Sequence, residues 1–252
     1  MRTNIMIQEA KNKTIIDKNG NQYSVGILAE GNCVSKGCDE VYLDYLRLRA
    51  NVYAIQNDYI SRELILDDGT EKDEEDSRSV HFGVIDNYGD NPHIVAAMRL
   101  ILKNDMFDNP LPIEKYFTNV FVNMPIPHNN VELSRFICQH ENKVTQMLLM
   151  WPLLAIGTSY AIQNNLEMTY AVIEPFLERI LKFKGLTMKR LADPEFVLQY
   201  NSTNIPVLFN TILVAKILES KNPGIIDALG DSNGKFVRFG ICDTKGILYE
   251  NN

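Results

Sequence analysis

The chain has 252 residues, 45% of them hydrophobic and 23% charged, with a formal net charge of -7. This balance excludes a disordered or low-complexity chain and predicts one substantial core, or one core with a small appendage. The negative charge argues against nucleic acid as the main partner, because phosphate binding needs clustered, excess lysine and arginine.

Residues 1–38 are polar and rich in Gly and Asn, with one predicted strand at 22–28, and read as an N-terminal arm. Residues 1–19 carry no apolar stretch of the secretory kind, so the chain is expected in the cytoplasm. From Asp39 or Glu40 the periodicity predicts an amphipathic helix with Tyr42, Tyr45, Leu46, Arg49 and Tyr53 near one face. An acidic loop follows, with seven carboxylates in the ten residues from Asp67 to Asp76, a run that is solvated by default.

Residues 79–86 and 94–103 predict an antiparallel hairpin through the turn-rich 87–92. Pro110, Pro112, Pro125 and Pro127 then punctuate an irregular connection to a strand at 131–139. The apolar segment 147–162 falls short of the ~20 residues of a membrane span. It predicts a buried core helix that Pro152 opens or kinks. A strand at 168–173, a helix at 174–183 and strands near 188–191 and 196–200 come next, and residues 207–218 suit either a strand or a helix. Residues 222–252, with extended runs at 235–241 and 247–250, read as a C-terminal hairpin appendage. Strands first, then strand-helix alternation, predict an α+β domain over 39–221, a mixed and mostly antiparallel sheet with helices on its faces.

Cys33, Cys38, Cys138 and Cys242 are too scattered for a disulfide framework, and the lone pair Cys33 and Cys38 lacks the second ligand pair that a zinc site needs, so no metal is expected. Lys182, Lys184, Lys189 and Arg190 form a basic patch around Gly185, either a docking site for an acidic protein or an ordinary charged helix end.

The most informative stretch is Val131-Glu132-Leu133-Ser134-Arg135-Phe136, an acid and a base three residues apart in a predicted buried strand. In a regular strand Glu132 and Arg135 face opposite sides, and a bulge at Leu133-Ser134 would bring them together. Upstream stand Arg49, Tyr53 and Tyr59, the acidic pair Asp73 and Asp76, Arg99 on the second hairpin strand, and Phe117. In this order the set resembles the acyl-homoserine-lactone (autoinducer) synthases and the related N-acyl amino acid synthases, over residues 43–215.

That resemblance implies a GNAT-like fold and transfer of a fatty acyl group from acyl carrier protein to an amine. It implies that Arg49, Tyr53 and Tyr59 line the cleft, that Asp73 and Asp76 organise the acceptor-side loop, and that the sheet splays near Glu132 to admit the donor. Tyr59 stands where the lactone synthases usually have Trp, which turns the expectation away from S-adenosylmethionine as acceptor. The segments 77–82, 110–114 and 172–179 resemble the amino acid acylating branch, and His81 is a candidate polar contact.

N-acyl transfer needs a neutral amine, donors for the carbonyl oxygen and a proton for the leaving thiolate, but no covalent nucleophile. The chain has no G-x-S-x-G elbow and no Cys-His pair at a dyad's spacing. Glu132, Ser134 and Arg135 are the catalytic candidates. Glu132 either acts on the amine as base or holds its ammonium, or it ties Arg49 or Arg99 into a buried network that only shapes the site.

After the strand, residues 140–146 contain no glycine, where CoA-dependent GNAT enzymes have a glycine loop for pyrophosphate. Acyl-phosphopantetheine on a carrier protein is therefore the expected donor, with Met147, Leu148, Leu149, Met150 and Trp151 as candidates for an acyl slot. The acceptor is expected to be an amino acid or similar amine. The alternatives are a lactone synthase that uses S-adenosylmethionine, and a catalytically silent binder of acyl chains or carrier protein.

Overall fold

An open, mostly antiparallel sheet runs through the computed structural model, which describes residues 22–87, 92–103, 109–230, 236–242 and 246–250. In chain order the elements are β1 (Gln22–Glu30), β2 (Cys33–Val34), α1 (Asp39–Arg49), β3 (Ser79–Asp86), β4 (His93–Lys103), α2 (Pro112–Tyr116), α3 (Thr118–Phe121), β5 (Asn130–Cys138) and α4 (Lys143–Gln163). There follow β6 (Met168–Ile173), α5 (Pro175–Phe183), β7 (Lys189–Arg190), β8 (Glu195–Val197), β9 (Ser202–Asn210), α6 (Thr211–Lys221), α7 (Ile225–Gly230), β10 (Val237–Cys242) and β11 (Gly246–Glu250).

The strands lie in the order β11-β10-β1-β3-β4-β5-β6-β9-β7, with β2 on β1 and β8 on β9. β5 and β6 pair in parallel, joined by the crossover helix α4, while the other pairings among the described residues are antiparallel. α4 packs on one face: Leu149, Leu153 and Ile156 meet Phe82, Met98 and Leu100 in the main core. Each fully buried leucine there contributes roughly 1.5–3 kcal/mol. α1 covers the opposite face, where Tyr45 and Leu46 pack on Leu28 and Ala97.

Helix α4 starts earlier than the apolar run suggests, because the Asn142 side chain caps it by accepting from the N–H groups of Val144 and Thr145. Among the described residues it alone is long and apolar enough to cross a membrane, and most of it is buried in this core. Pro152 sits inside the helix rather than opening it. The ambiguous segment 207–218 divides at Asn210, whose side chain accepts from Leu213 N–H, so β9 ends and α6 begins there.

The two ends of the described chain are integral to the sheet, which corrects their reading as appendages. β1 lies between β3 and β10, paired with β3 from Tyr23 to Glu30. The C-terminal hairpin forms as expected from β10 and β11, but it extends the same sheet through β1. α7, not foreseen, packs on α4, with Ser159 Oγ donating to the Ile226 carbonyl at 3.1 Å. Residues 1–21 of the expected arm and most of the 87–92 turn lie outside the described residues.

Candidate active site

Side chains alternate regularly along β5 as far as Ser134. Glu132 pairs with Ile101 and Ser134 with Arg99, so Glu132, Ser134 and Arg99 share the face that α1 covers. There the register shifts, and Arg135 and Phe136 together oppose Met98. Arg135 takes a left-handed conformation, φ 50°, which costs a side-chain-bearing residue roughly 1–3 kcal/mol. The bulge thus falls at Arg135-Phe136 and not at Leu133-Ser134, because Leu133 and Ser134 keep their pairing with Leu100 and Arg99. Its effect is the expected one: Arg135 turns to the side of Glu132, while Phe136 packs on the core.

Arg49, Arg99 and Arg135 meet Glu71, Asp73 and Asp76 in a network of three cations and three carboxylates. Arg49 donates through Nε to Glu71 at 2.5 Å and through Nη1 and Nη2 to Asp76 at 2.7 and 3.1 Å. Arg99 bridges Asp73 and Asp76, each at 2.5 Å. Arg135 Nη2 donates to Glu71 at 2.9 Å and to Asp73 at 3.0 Å. Burial alone would raise these carboxyls, but the guanidiniums override it and hold all three below the usual carboxylate range.

The acidic loop is therefore not a solvated run, since Glu71, Glu75 and Asp76 are buried. Asp73 caps its short 3-10 turn by accepting from Glu75 N–H, and Asp76 accepts from the N–H of Asp73 in return. Glu71 was missed from sequence, because composition does not separate it from its neighbours in the acidic run.

Glu132 stands outside this network, which corrects the reading of it as a partner of Arg49 or Arg99. Its Oε2 accepts the Ile113 N–H at 2.8 Å, and it is 1% exposed. Burial pushes its carboxyl up to about 8.

Strands β5 and β6 pair only over residues 131–133 and 169–171, and then part. A cavity of about 390 Å³ opens in the splay, and Glu132, Ser134, Arg135, Tyr53, Tyr59 and Glu174 supply much of its polar wall. Tyr53 and Tyr59 reach it because α1 runs on into a π-helical turn, Ala50–Gln56, a distortion often found at functional sites. The Arg135 guanidinium lies 5.0 Å from the Tyr53 ring centre, and Tyr59 OH donates to Glu174 Oε2 at 2.9 Å. Glu174, at the end of β6, was not singled out for a role from sequence.

Leu133, Phe136, Ile173 and Leu177 are shared with a narrower apolar slot of about 60 Å³ that runs under the sheet to Met98 and Gly157. The helix segment expected to line it does not. Leu149 and Trp151 are in the core and Met147 is exposed, while Leu154, Gly157 and Thr158, further along α4, form the wall.

Of the remaining candidates, Arg49, Asp73, Asp76 and Arg99 form the polar wall behind the cavity rather than its lining. His81 is wholly buried behind them, bonded to Tyr45 OH at 3.1 Å, and burial lowers it to about 4, so it is a neutral structural group. Phe117 belongs to the cluster of Ile101, Ile113 and Phe121. In the basic patch, Lys182 and Arg190 are both bonded to Glu178, which they hold down to about 2, while Lys184 and Lys189 make no ion pair among the described residues. Burial raises the Cys138 thiol to about 12, which leaves it unfit as a nucleophile. No cluster of metal-ligating side chains occurs among the described residues.

A family model described as autoinducer synthase matches residues 37–206. No curated protein matches the chain by sequence. Among solved structures, the chain is similar to the CoA-dependent acyl-homoserine lactone synthase BjaI with SAM and isopentyl-CoA, at 17% identity and a TM-score of 0.63, over 81% of this chain and 92% of that one. The AHL synthase LasI is similar at 17% identity and 0.55, over 76% and 90%. FeeM, an N-acyl amino acid synthase from uncultured soil microbes, is similar at 11% identity and 0.54, over 82% and 97%. The expected fold, a GNAT-like mixed sheet with helices, is the one observed.

Proposed function

The chain belongs to the autoinducer synthase family and is an acyltransferase, and from that premise we propose that it moves a fatty acyl group from acyl carrier protein to the primary amine of an amino acid or amino-acid-like acceptor. The observation that carries this reading is the junction of the two spaces: a polar cavity holding Glu132 and Arg135 continues into an apolar slot through Leu133, Phe136, Ile173 and Leu177. An acyl chain in the slot sets its thioester carbonyl beside Glu132.

Glu132 then takes a proton from the amine as nitrogen attacks the carbonyl carbon. The carbon–sulfur bond breaks, and the proton passes to the leaving thiolate, giving an amide and a free thiol. A carboxyl near 8 lies about two units below an ordinary alkylammonium, so its carboxylate is a strong enough base for an N–H that becomes ammonium-like as the carbon–nitrogen bond forms. The three-by-three ion network holds Arg135 in its bulged position and adds no net charge to the site.

Two features favour carrier-bound phosphopantetheine over CoA. Asn142 occupies N–H groups at the start of α4 that would otherwise meet a pyrophosphate, and Lys184 and Lys189 remain for an acidic carrier. BjaI is a CoA-dependent enzyme, so the donor is tested directly. Purified protein is supplied with acyl carrier protein or CoA thioesters and a panel of amines, and products are read by mass spectrometry. N-acyl amino acids formed from the carrier thioester, and lost in Glu132→Gln, are expected. Acyl-homoserine lactone from S-adenosylmethionine, or a preference for CoA, would overturn the acceptor or the donor assignment respectively.

A further inference from the structure

Helices α5 and α6 flank the apolar slot, and each turns one face into it: Leu177 and Leu181 from α5, Thr211 and Val214 from α6. Those inner residues pack on the main core, on the side of the sheet that α4 covers. The outer faces are open to solvent and carry apolar side chains. Phe176 and Phe183, 62% and 87% exposed, stand seven residues apart and so share one side of α5. Ile212 and Leu213, 52% and 44% exposed, lie in the first turn of α6. Single exposed apolar residues are ordinary, but four of them on the two helices beside one slot mark an interaction surface.

The charges on these helices are sorted by sign. Arg179, Lys182 and Lys216 are exposed. The acids turn inward: Glu178 is buried and bonded to Lys182 and Arg190, while Glu219 accepts the N–H groups of Gly224 and Ile226. Arg179 lies 5.9 Å from the centre of the Phe176 ring, so cation and aromatic occupy the same stretch of α5. The carboxylates of the ion network stand on the opposite face of the sheet, with α1. A chain of net charge -7 thus presents an outer surface of phenylalanine, isoleucine and leucine interleaved with cations. That combination fits the headgroup boundary of an anionic bilayer, which takes apolar side chains to a shallow depth and attracts lysine and arginine.

We propose that the outer faces of α5 and α6 seat the protein on an anionic lipid surface, with Phe183, Ile212 and Leu213 entering the headgroup boundary and Arg179, Lys182 and Lys216 meeting lipid phosphates. On the acyl-transfer reading, this seat gives an amphipathic product a short path from the slot to the leaflet. The binding itself needs no turnover and goes beyond that reading.

The test is sedimentation of the purified full chain with vesicles of phosphatidylcholine, alone or mixed with phosphatidylglycerol, at low and high salt. Binding to the mixed vesicles that is at least about ten-fold tighter than to phosphatidylcholine alone, and that weakens with salt, is expected. Phe183→Ser with Ile212→Ser should weaken it by about ten-fold or more. Arg179→Gln with Lys216→Gln should weaken it by roughly five-fold for each cation removed. These four side chains are exposed and lie outside both the polar cavity and the slot, so turnover in solution should not change.

No sedimentation with either vesicle overturns the proposal, as does binding that ignores lipid charge or survives both double variants. The rival occupant is the acidic carrier, because Lys184 and Lys189 adjoin α5. Protein that binds no vesicle, but whose KM for acyl carrier protein rises in the variants, would assign the surface to the carrier and overturn the lipid reading. Vesicle binding is read without turnover, so its failure and a failure of acyl transfer are separate results.

Discussion

Glu132 couples catalysis to stability in a way that pH reveals. Its folded-state carboxyl is raised from 4.5 to about 8 by burial, so the native protein holds a proton that the unfolded chain releases over that interval. Rising pH between those values therefore favours unfolding, at a cost on the order of 5 kcal/mol when complete. Glu132→Gln keeps an acceptor for Ile113 N–H and removes that cost. Its thermal midpoint should match wild type near pH 5 and exceed it by about 10 °C near pH 9. Parallel midpoint curves across that range would show that the carboxyl is ionised in the fold. The same group should give kcat/KM a rising limb with an apparent pKa near 8. Glu132→Gln should lose that limb together with roughly 10²- to 10⁴-fold in rate. That Glu132, Arg135, Tyr53 and Tyr59 meet at one cavity was legible because the spacing of their residue types is itself the signal. Glu71 and Glu174 were not, since one is hidden among like residues and the other gains its meaning only where the sheet parts.

At the scale of elements, the slot is set by how closely α4 approaches the sheet. Gly157 permits that approach: a Cβ there would lie 2.1 Å from the Met98 methyl, the mobile end of a flexible side chain. Gly157→Ala should therefore leave the fold intact at a cost of about 1–3 kcal/mol and push Met98 into the slot. The product profile should shift to shorter acyl chains, as read by mass spectrometry of a mixed acyl-donor pool, and an unchanged profile would mean that the chain lies elsewhere. The hairpin of β3 and β4, the strands β5 and β6 and the helices α1 and α5 were legible because their apolar periods are clean. The bulge was misplaced by two residues, because the pairing of Ser134 with Arg99 is a cross-strand register that one strand alone does not display. The same reason hid β1 inside the sheet, since nothing in the strand's own residues names its neighbours.

For the whole molecule, the ion network is the tie between parts far apart in sequence. Arg49 on α1, Glu71 to Asp76 on the loop, Arg99 on β4 and Arg135 on β5 meet in one buried cluster. Such a cluster contributes little net stability while complete, because desolvation offsets most of the attraction, but losing one member strands the rest. Arg49→Met would leave Glu71 and Asp76 short of a partner and should cost about 3–5 kcal/mol at neutral pH. The sign with pH follows from the depressed carboxyls. Their stabilising contribution is present above the unfolded value near 4 and is lost as pH falls through the lower folded values. In the variant the stranded carboxyls take up protons more readily, and their penalty fades as pH falls. The gap between wild type and Arg49→Met in denaturant unfolding should thus be widest near pH 7 and narrow towards pH 3. A gap independent of pH would place the damage in lost packing of the arginine stem and not in the charges it pairs.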